Sequence, residues 1–269
     1  MTKRSTLVAD GSLALDPLAP VRATLAAMAA RPDLPPTNGL APGLMVRDVT
    51  GWVPATALVT GAALPSFLDA AKQRWRATPH AAAALAWKCY TFWLALPAVL
   101  GYAAAGRVPL LGPGSVVLRW SDRAPFVVIG LTTVDVAVLP TDPLAIAGST
   151  SGVRVVPDDD ALLRELRVSL MGEHLSPILE QIRTGLHLGR RTLWGSLASG
   201  IAHGMSRAAG LVPVPALSTT RRMLTALGID DLVELSARDG GPGLSVQRRT
   251  CCLAFTLPEP KICVGCCIR

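Results

Sequence analysis

The sequence predicts a predominantly helical α+β domain with a small antiparallel β-hairpin or sheet and a cysteine-rich carboxyl-terminal tail. Three observations carry this. From residue 162 onward Leu162, Leu163, Leu166, Leu170, Leu175, Ile178, Leu179 and Ile182 recur at helical spacing. Two β-branched runs, residues 115–120 and 126–131, flank Ser121-Asp122-Arg123-Ala124-Pro125, which reads as a hairpin loop. Five of the six cysteines fall in the final segment.

At 269 residues the chain can bury a sizeable core, and half of its residues are apolar while 17% are charged, which excludes a disordered chain. Aromatics are scarce, with six Trp, four Phe and two Tyr, so the core must be aliphatic. The net charge of +7 favours acidic partners. The basic residues are scattered as pairs (Arg190-Arg191, Arg221-Arg222, Arg248-Arg249) and no nucleic-acid-binding motif accompanies them, so nucleic acid is not the expected partner. Asp10 and Asp16 interrupt any apolar secretory stretch. A cytoplasmic location is therefore expected, where clustered thiols bind metal more often than they form disulfides.

Element by element, a helix is expected at residues 19–31, ended by the proline- and glycine-bearing stretch after Arg31, and a second at 65–77. Residues 81–106 are the most apolar stretch. The eighteen residues from 89 to 106 carry no formal charge, near the lower limit for a membrane span. Lys88 and Arg107 bracket them closely and Pro97 sits at the centre, so a buried helix kinked or broken at Pro97 is the expectation, with peripheral membrane contact left open. After the hairpin, residues 132–139 extend or bend its second strand, and Val153 opens a short extended piece. Asp158 to Asp160 form an acidic helix cap. Helices then run from about 160 to 182, from 189 to 205 and from 219 to Gly228, with a turn at 230–235. Residues 238–243 read as a linker. Residues 1–240 thus form the body, with the hairpin near 115–139, and residues 241–269 a separate cysteine segment.

Read as ligands, the cysteines are Cys251 and Cys252, ten intervening residues, Cys263, two more, and Cys266. The Cys-x-x-Cys half is a chelating spacing, with Gly265 relieving the backbone where it bends. Four thiolates suit either a tetrahedral zinc or a [2Fe–2S] cluster. Neighbouring side chains in an extended chain point to opposite faces. The adjacent pair is therefore easier to use on two irons than on one zinc.

This tail, with Arg249-Thr250-Cys251-Cys252-Leu253-Ala254-Phe255 and Lys261-Ile262-Cys263-Val264-Gly265-Cys266, resembles the signature of the FhuF family of ferric-siderophore reductases. Glu173-His174-Leu175-Ser176-Pro177, Leu188-Gly189-Arg190-Arg191 and Leu193-Trp194-Gly195 resemble the helical body of the same family, and residues 81–131 do so more loosely. The resemblance implies a [2Fe–2S] cluster on Cys251, Cys252, Cys263 and Cys266. It also implies one-electron reduction of a ferric siderophore, of hydroxamate type, and an external donor such as a ferredoxin or flavoprotein. The family often has proline after the last ligand. Here Cys267 stands there and competes with Cys266.

Other residues are expected to play structural parts. Cys89 reads as a packed core thiol, Trp194 as core, and His174, His187 and His203 show no metal-ligand spacing. Arg248, Arg249 and Lys261 flank the cysteines, either as solvated tail residues or as charges that favour a reduced cluster and attract an anion. No phosphate loop, Ser/His/Asp constellation or flavin or nicotinamide fingerprint is present. Two other readings stand beside the reductase: a zinc-stapled binding protein, and a [2Fe–2S] redox partner of a biosynthetic enzyme.

Overall fold

A computed structural model describes residues 15–148 and 151–268. The amino-terminal stretch weighed as a secretory signal, apart from Asp16, lies outside them. The fold is α+β, as expected, and is organised around helix α4 (Pro79–Ala105). Before it come α1 (Ala19–Ala29), strands β1 (Leu40–Met45) and β2 (Val53–Pro54), the short α2 (Thr56–Val59) and α3 (Leu64–Trp75).

Helix α4 starts where Thr78 Oγ1 accepts the amide of Ala81 and Pro79 needs no donor partner, and it ends on Gly106 in the left-handed region. It runs through Pro97 without a break. Among the described residues it is the one helix long and apolar enough to cross a membrane, and 78% of its apolar stretch is buried inside the protein. Most of its residues are buried by other elements, and Lys88, Phe92 and Trp93 face an open groove.

Strands β4 (Val116–Trp120) and β5 (Val127–Leu131) form the expected antiparallel hairpin, with Leu118 opposite Ile129. They sit inside a four-stranded sheet of order β1-β5-β4-β2, in which β1 pairs parallel with β5. The β-branched run after β5 does not extend that strand. It forms β6 (Val136–Val138), which pairs with β3 (Val108–Pro109) and β7 (Val153–Val155) in a second sheet, joined to β5 through a bend at residues 132–135. The loop between β6 and β7 carries a short helix, α5 (Pro143–Ile146), capped by Asp142. Asp142 also pairs with the buried Arg107 at 2.7 Å.

Asp158 caps α6 (Asp159–Leu166) by accepting the Ala161 amide at 2.7 Å, while Asp159 and Asp160 pair with Arg222. The acidic run is a cap and an ion-pair site. The helical stretch then widens into a π-helical segment, Arg167–Leu175, before α7 (Ser176–Leu186). The π segment places His174, fully buried, between Tyr90 of α4 and the Leu111 carbonyl. A carbonyl can only accept, so His174 Nδ1–H donates to Leu111 O at 2.6 Å. Nε2 is then the acceptor for the Tyr90 hydroxyl at 2.5 Å.

Helix α8 (Arg190–Ala208) packs along α4, with Trp87 Nε1 donating to the Leu193 carbonyl at 2.8 Å. Helix α9 (Ala216–Leu227) stops at Gly228 as the glycine required. A 3-10 turn, Asp230–Leu232, leads into β8 (Val233–Ala237), which pairs antiparallel with β9 (Leu244–Arg248). Residues 238–243, read as a linker, are the turn of this hairpin, and Arg238 N–H donates to Gly243 O at 2.9 Å. The hairpin packs against α8, so the segment that carries the cysteines is tied into the body through β-pairing.

Burial pushes the His174 pKa down to about 4, opposed by the Leu111 hydrogen bond. The unfolded histidine titrates near 6.5, so between there and about 4 the unfolded chain holds the extra proton. Stability from this site is therefore full above that window and is lost as pH falls through it. Urea midpoints taken from pH 7 to pH 4 should report a loss on the order of 2–3 kcal/mol from His174. The loss should shrink in His174→Gln; an equal loss in both proteins would assign the acid sensitivity elsewhere.

Candidate metal centre

Strand β9 sets the position of the tail. The Arg248 amide donates to Gly265 O at 2.8 Å and Gln247 Nε2 donates to Cys266 O at 2.8 Å, so the Cys-x-x-Cys loop is fastened along the end of the strand. Gly265 is needed there. Its φ is +75°, and a β-carbon would stand 1.9 Å from the Val246 carbonyl oxygen. The Cys266 amide donates to Cys263 O at 3.0 Å and closes the turn.

The first half of the motif is held from the other side. Thr250 is buried against α8, where Gly195 leaves it room: a β-carbon on Gly195 would lie 1.9 Å from Thr250 Oγ1. Leu253 takes a left-handed conformation, φ +62°, and its amide donates to Cys251 Sγ at 3.2 Å. A 3-10 turn, Ala254–Thr256, follows, and the Lys261 amide donates back to Ala254 O at 3.0 Å. This loop returns the chain so that Cys263 lies beside Cys252. Those two pack with Ala254 and Leu257 against Leu85 of α4 and against Trp75 and Ala77.

The sulfurs do not share one environment. Cys252 and Cys266 are buried, Cys251 and Cys263 are half-buried, and Cys267 is exposed. Cys263 packs beside Cys252 in one apolar cluster, and Cys251 and Cys266 act together to raise the Cys267 pKa. The adjacent pair Cys251 and Cys252 thus has one half-buried and one fully buried member. Among the described residues no three Cys, His, Asp or Glu side chains are gathered around a single point as one ion would require.

Burial raises the Cys252 pKa, but Lys88, the Ala254 amide, Arg248 and the Cys263 hydrogen bond outweigh it and hold the thiol below its ordinary value. Cys267 moves the other way, raised by partial burial and then by Cys251 and Cys266. Lys88 Nζ, from α4, is 3.5 Å from Cys263 Sγ. Arg248 is only 4% exposed, and its Nη2 donates to Ser196 Oγ at 3.2 Å. Its Nε and Nη1, and Thr250 Oγ1, are buried with no hydrogen-bond partner. A buried guanidinium with free donors costs several kcal/mol unless an anion faces it.

Amide donors at Cys251 and Cys252, a lysine at Cys263 and a buried arginine are the chemistry that suits an anionic thiolate-held group, while the sulfurs themselves are not gathered around one point among the described residues. The flanking charges divide: Arg248 is built into the site, whereas Arg249 and Lys261 are solvent-exposed. The sequence offered no sign of Lys88, which lies 175 residues from its sulfur. Cys89 is half-buried with its pKa pushed up to about 11, burial outweighing Lys88 and Arg74, so it stays a protonated thiol. His174 belongs to the core, His187 ends α7 in a left-handed conformation, and Trp194 packs edge-on against Trp87. His203 lies in a neighbouring groove.

Replacing Gly265 with Ala forces strain into the loop or pulls it off β9. In the metal-free protein the buried thiols Cys252 and Cys266 should react with a disulfide reagent about tenfold faster or more, the equivalent of about 1.4 kcal/mol of loosened docking. An unchanged rate would mean that the loop tolerates the methyl group. No protein-family model matches the chain, and no curated protein is significantly similar to it.

Proposed function

We propose that the protein is a cytoplasmic iron–sulfur oxidoreductase that releases iron from ferric siderophores by one-electron reduction. The observation that carries the reading is the pairing of the tail thiols with two inward cations, Lys88 and Arg248, neither of which meets a carboxylate among the described residues. Cys251, Cys252, Cys263 and Cys266 would hold a [2Fe–2S] cluster, which supplies one-electron transfer. The resemblance of the tail to the FhuF signature supports the choice of acceptor.

The residues present have definite tasks under this reading. The amides of Leu253 and Ala254 donate to Cys251 and Cys252 and withdraw electron density from those sulfurs. Lys88 and Arg248 favour added negative charge at the site and so bias it towards accepting an electron. Oxygen chelators hold Fe(III) more tightly than Fe(II), so a reduced substrate iron leaves without acid–base help from the chain. With no flavin or nicotinamide motif in the sequence, the electron comes from outside, from a ferredoxin or flavoprotein.

Protein purified without oxygen should be reddish brown, bleach on dithionite and show a paramagnetic resonance signal when reduced. Mixing the reduced protein with a ferric siderophore should restore the colour and yield Fe(II), trapped by a coloured Fe(II) chelator. Colourless protein with stoichiometric zinc would replace this reading with the zinc-stapled binding protein. A red protein that leaves ferric chelates intact would make it a redox partner instead. Cys263→Ser should abolish or strongly shift the visible spectrum, while Cys267→Ser should leave it in place.

A further inference from the structure

Beside the thiol site, α4 and α8 open into a groove of about 520 Å³, large enough for an organic ligand. Phe92, Trp93 and Lys88 form one wall, Ser196, Ser199 and His203 the other. Arg207 crosses the groove, stacked over Phe92 and Trp93 at 5.8 and 5.9 Å and bonded to the Pro35 carbonyl. Arg238, from the β8–β9 turn, closes one end.

The charge of this groove is one-sided. Asp33 is its one acidic group, and both of its oxygens are taken by Arg31 at 2.7 Å. Among the described residues Lys88, Arg207 and Arg238 have no carboxylate partner, and Arg207 Nε is buried without a hydrogen-bond acceptor. Arg248 stands directly behind Ser196 with two more unused donors. Desolvation in the groove, then Lys88, Arg248 and Arg238, lower the His203 pKa to about 4, so it adds no charge at neutral pH. Cations converging on an aromatic floor, with donors to spare, fit an anion with planar arms. Lys88 serves both sites, because the side chain on the groove wall is the one that touches Cys263.

We infer that this groove is the substrate seat, and that among ferric chelates, hydroxamates included, it selects those of net negative charge over neutral ones of the same size. The inference rests on the reductase reading for its iron, but the seat can be tested without electron transfer. Gallium(III) mimics ferric iron in size and charge and is not reduced. Calorimetric titration should compare the gallium complex of a hexadentate tris-catecholate, a trianion, with that of a neutral hexadentate trihydroxamate. The trianion should bind at least about tenfold more tightly, and rising salt should narrow the gap.

Arg207→Gln and Arg238→Gln should each cut the preference by about tenfold, whereas Arg123→Gln, in the exposed β4–β5 loop, should not. Arg238 is exposed, so its variant keeps the test sound even if Arg207→Gln melts early. Equal affinity for both complexes, or a preference untouched by the two groove variants, would overturn the inference. So would a metal-free tris-catechol binding as tightly as its gallium complex, since the aromatic arms alone would then account for recognition. A charge preference in colourless, zinc-loaded protein would keep the anion seat and remove the reductase. A red, redox-active protein without the preference would do the reverse.

Discussion

Helices α4 and α8 approach each other so closely at Gly200 that a β-carbon there would stand 3.3 Å from the Phe92 α-carbon. Gly204, one turn on, faces Leu96 at a similar distance, and buried Ser196, one turn before, shares that helix face. This seam determines where everything functional lies. It turns Phe92 and Trp93 outward to the groove while Trp87 reaches inward to the Leu193 carbonyl. It also places Gly195 where Thr250 must dock, so the helix pair that forms the groove also locates the first two cysteines. A larger residue at position 200 would push the helices apart and move both sites together.

The second constraint is charge. A lysine beside a sulfur and a guanidinium with two unused buried donors are costly where, among the described residues, neither is paired with a carboxylate. Under the proposed reading, thiolates and an anionic group on them remove that cost, so occupation of the site and docking of the tail are linked free energies. The contrast with Arg107 is instructive. That arginine is as deeply buried, but it meets Asp142 at 2.7 Å and needs nothing from outside.

Much of the body was legible because local signals and burial agreed. Asp158 announced its helix, Gly228 ended another, and the β4–β5 hairpin lay in its two β-branched runs. The parallel pairing of β1 with β5 was not legible, since its partners are some ninety residues apart and share no turn. Nor was the break after β5, where one apolar run serves two sheets and periodicity alone cannot show the bend. Residues 238–243 looked like a linker because a tight hairpin turn uses the same glycines and prolines as a flexible joint. At the site, spacing singled out the cysteines and Gly265, whose left-handed backbone the motif demanded. Lys88 and the groove arginines came together only through the packing of distant helices.

The sharing of cations between tail and groove has a consequence under the proposed reading. Lys88 touches Cys263 and lines the groove, and Arg248 lies behind Ser196 of the groove wall while its charge acts on Cys252, so negative charge gained on one side satisfies donors the other side would use. Binding free energies are reciprocal. An anionic chelate in the groove therefore makes the thiol site less willing to keep an added electron, and a reduced thiol site holds an anionic chelate less tightly. The first effect pushes the electron towards the bound ferric iron. The second keeps a reduced site from holding a chelate too firmly, and both follow from placing two cations between two anions instead of giving each its own.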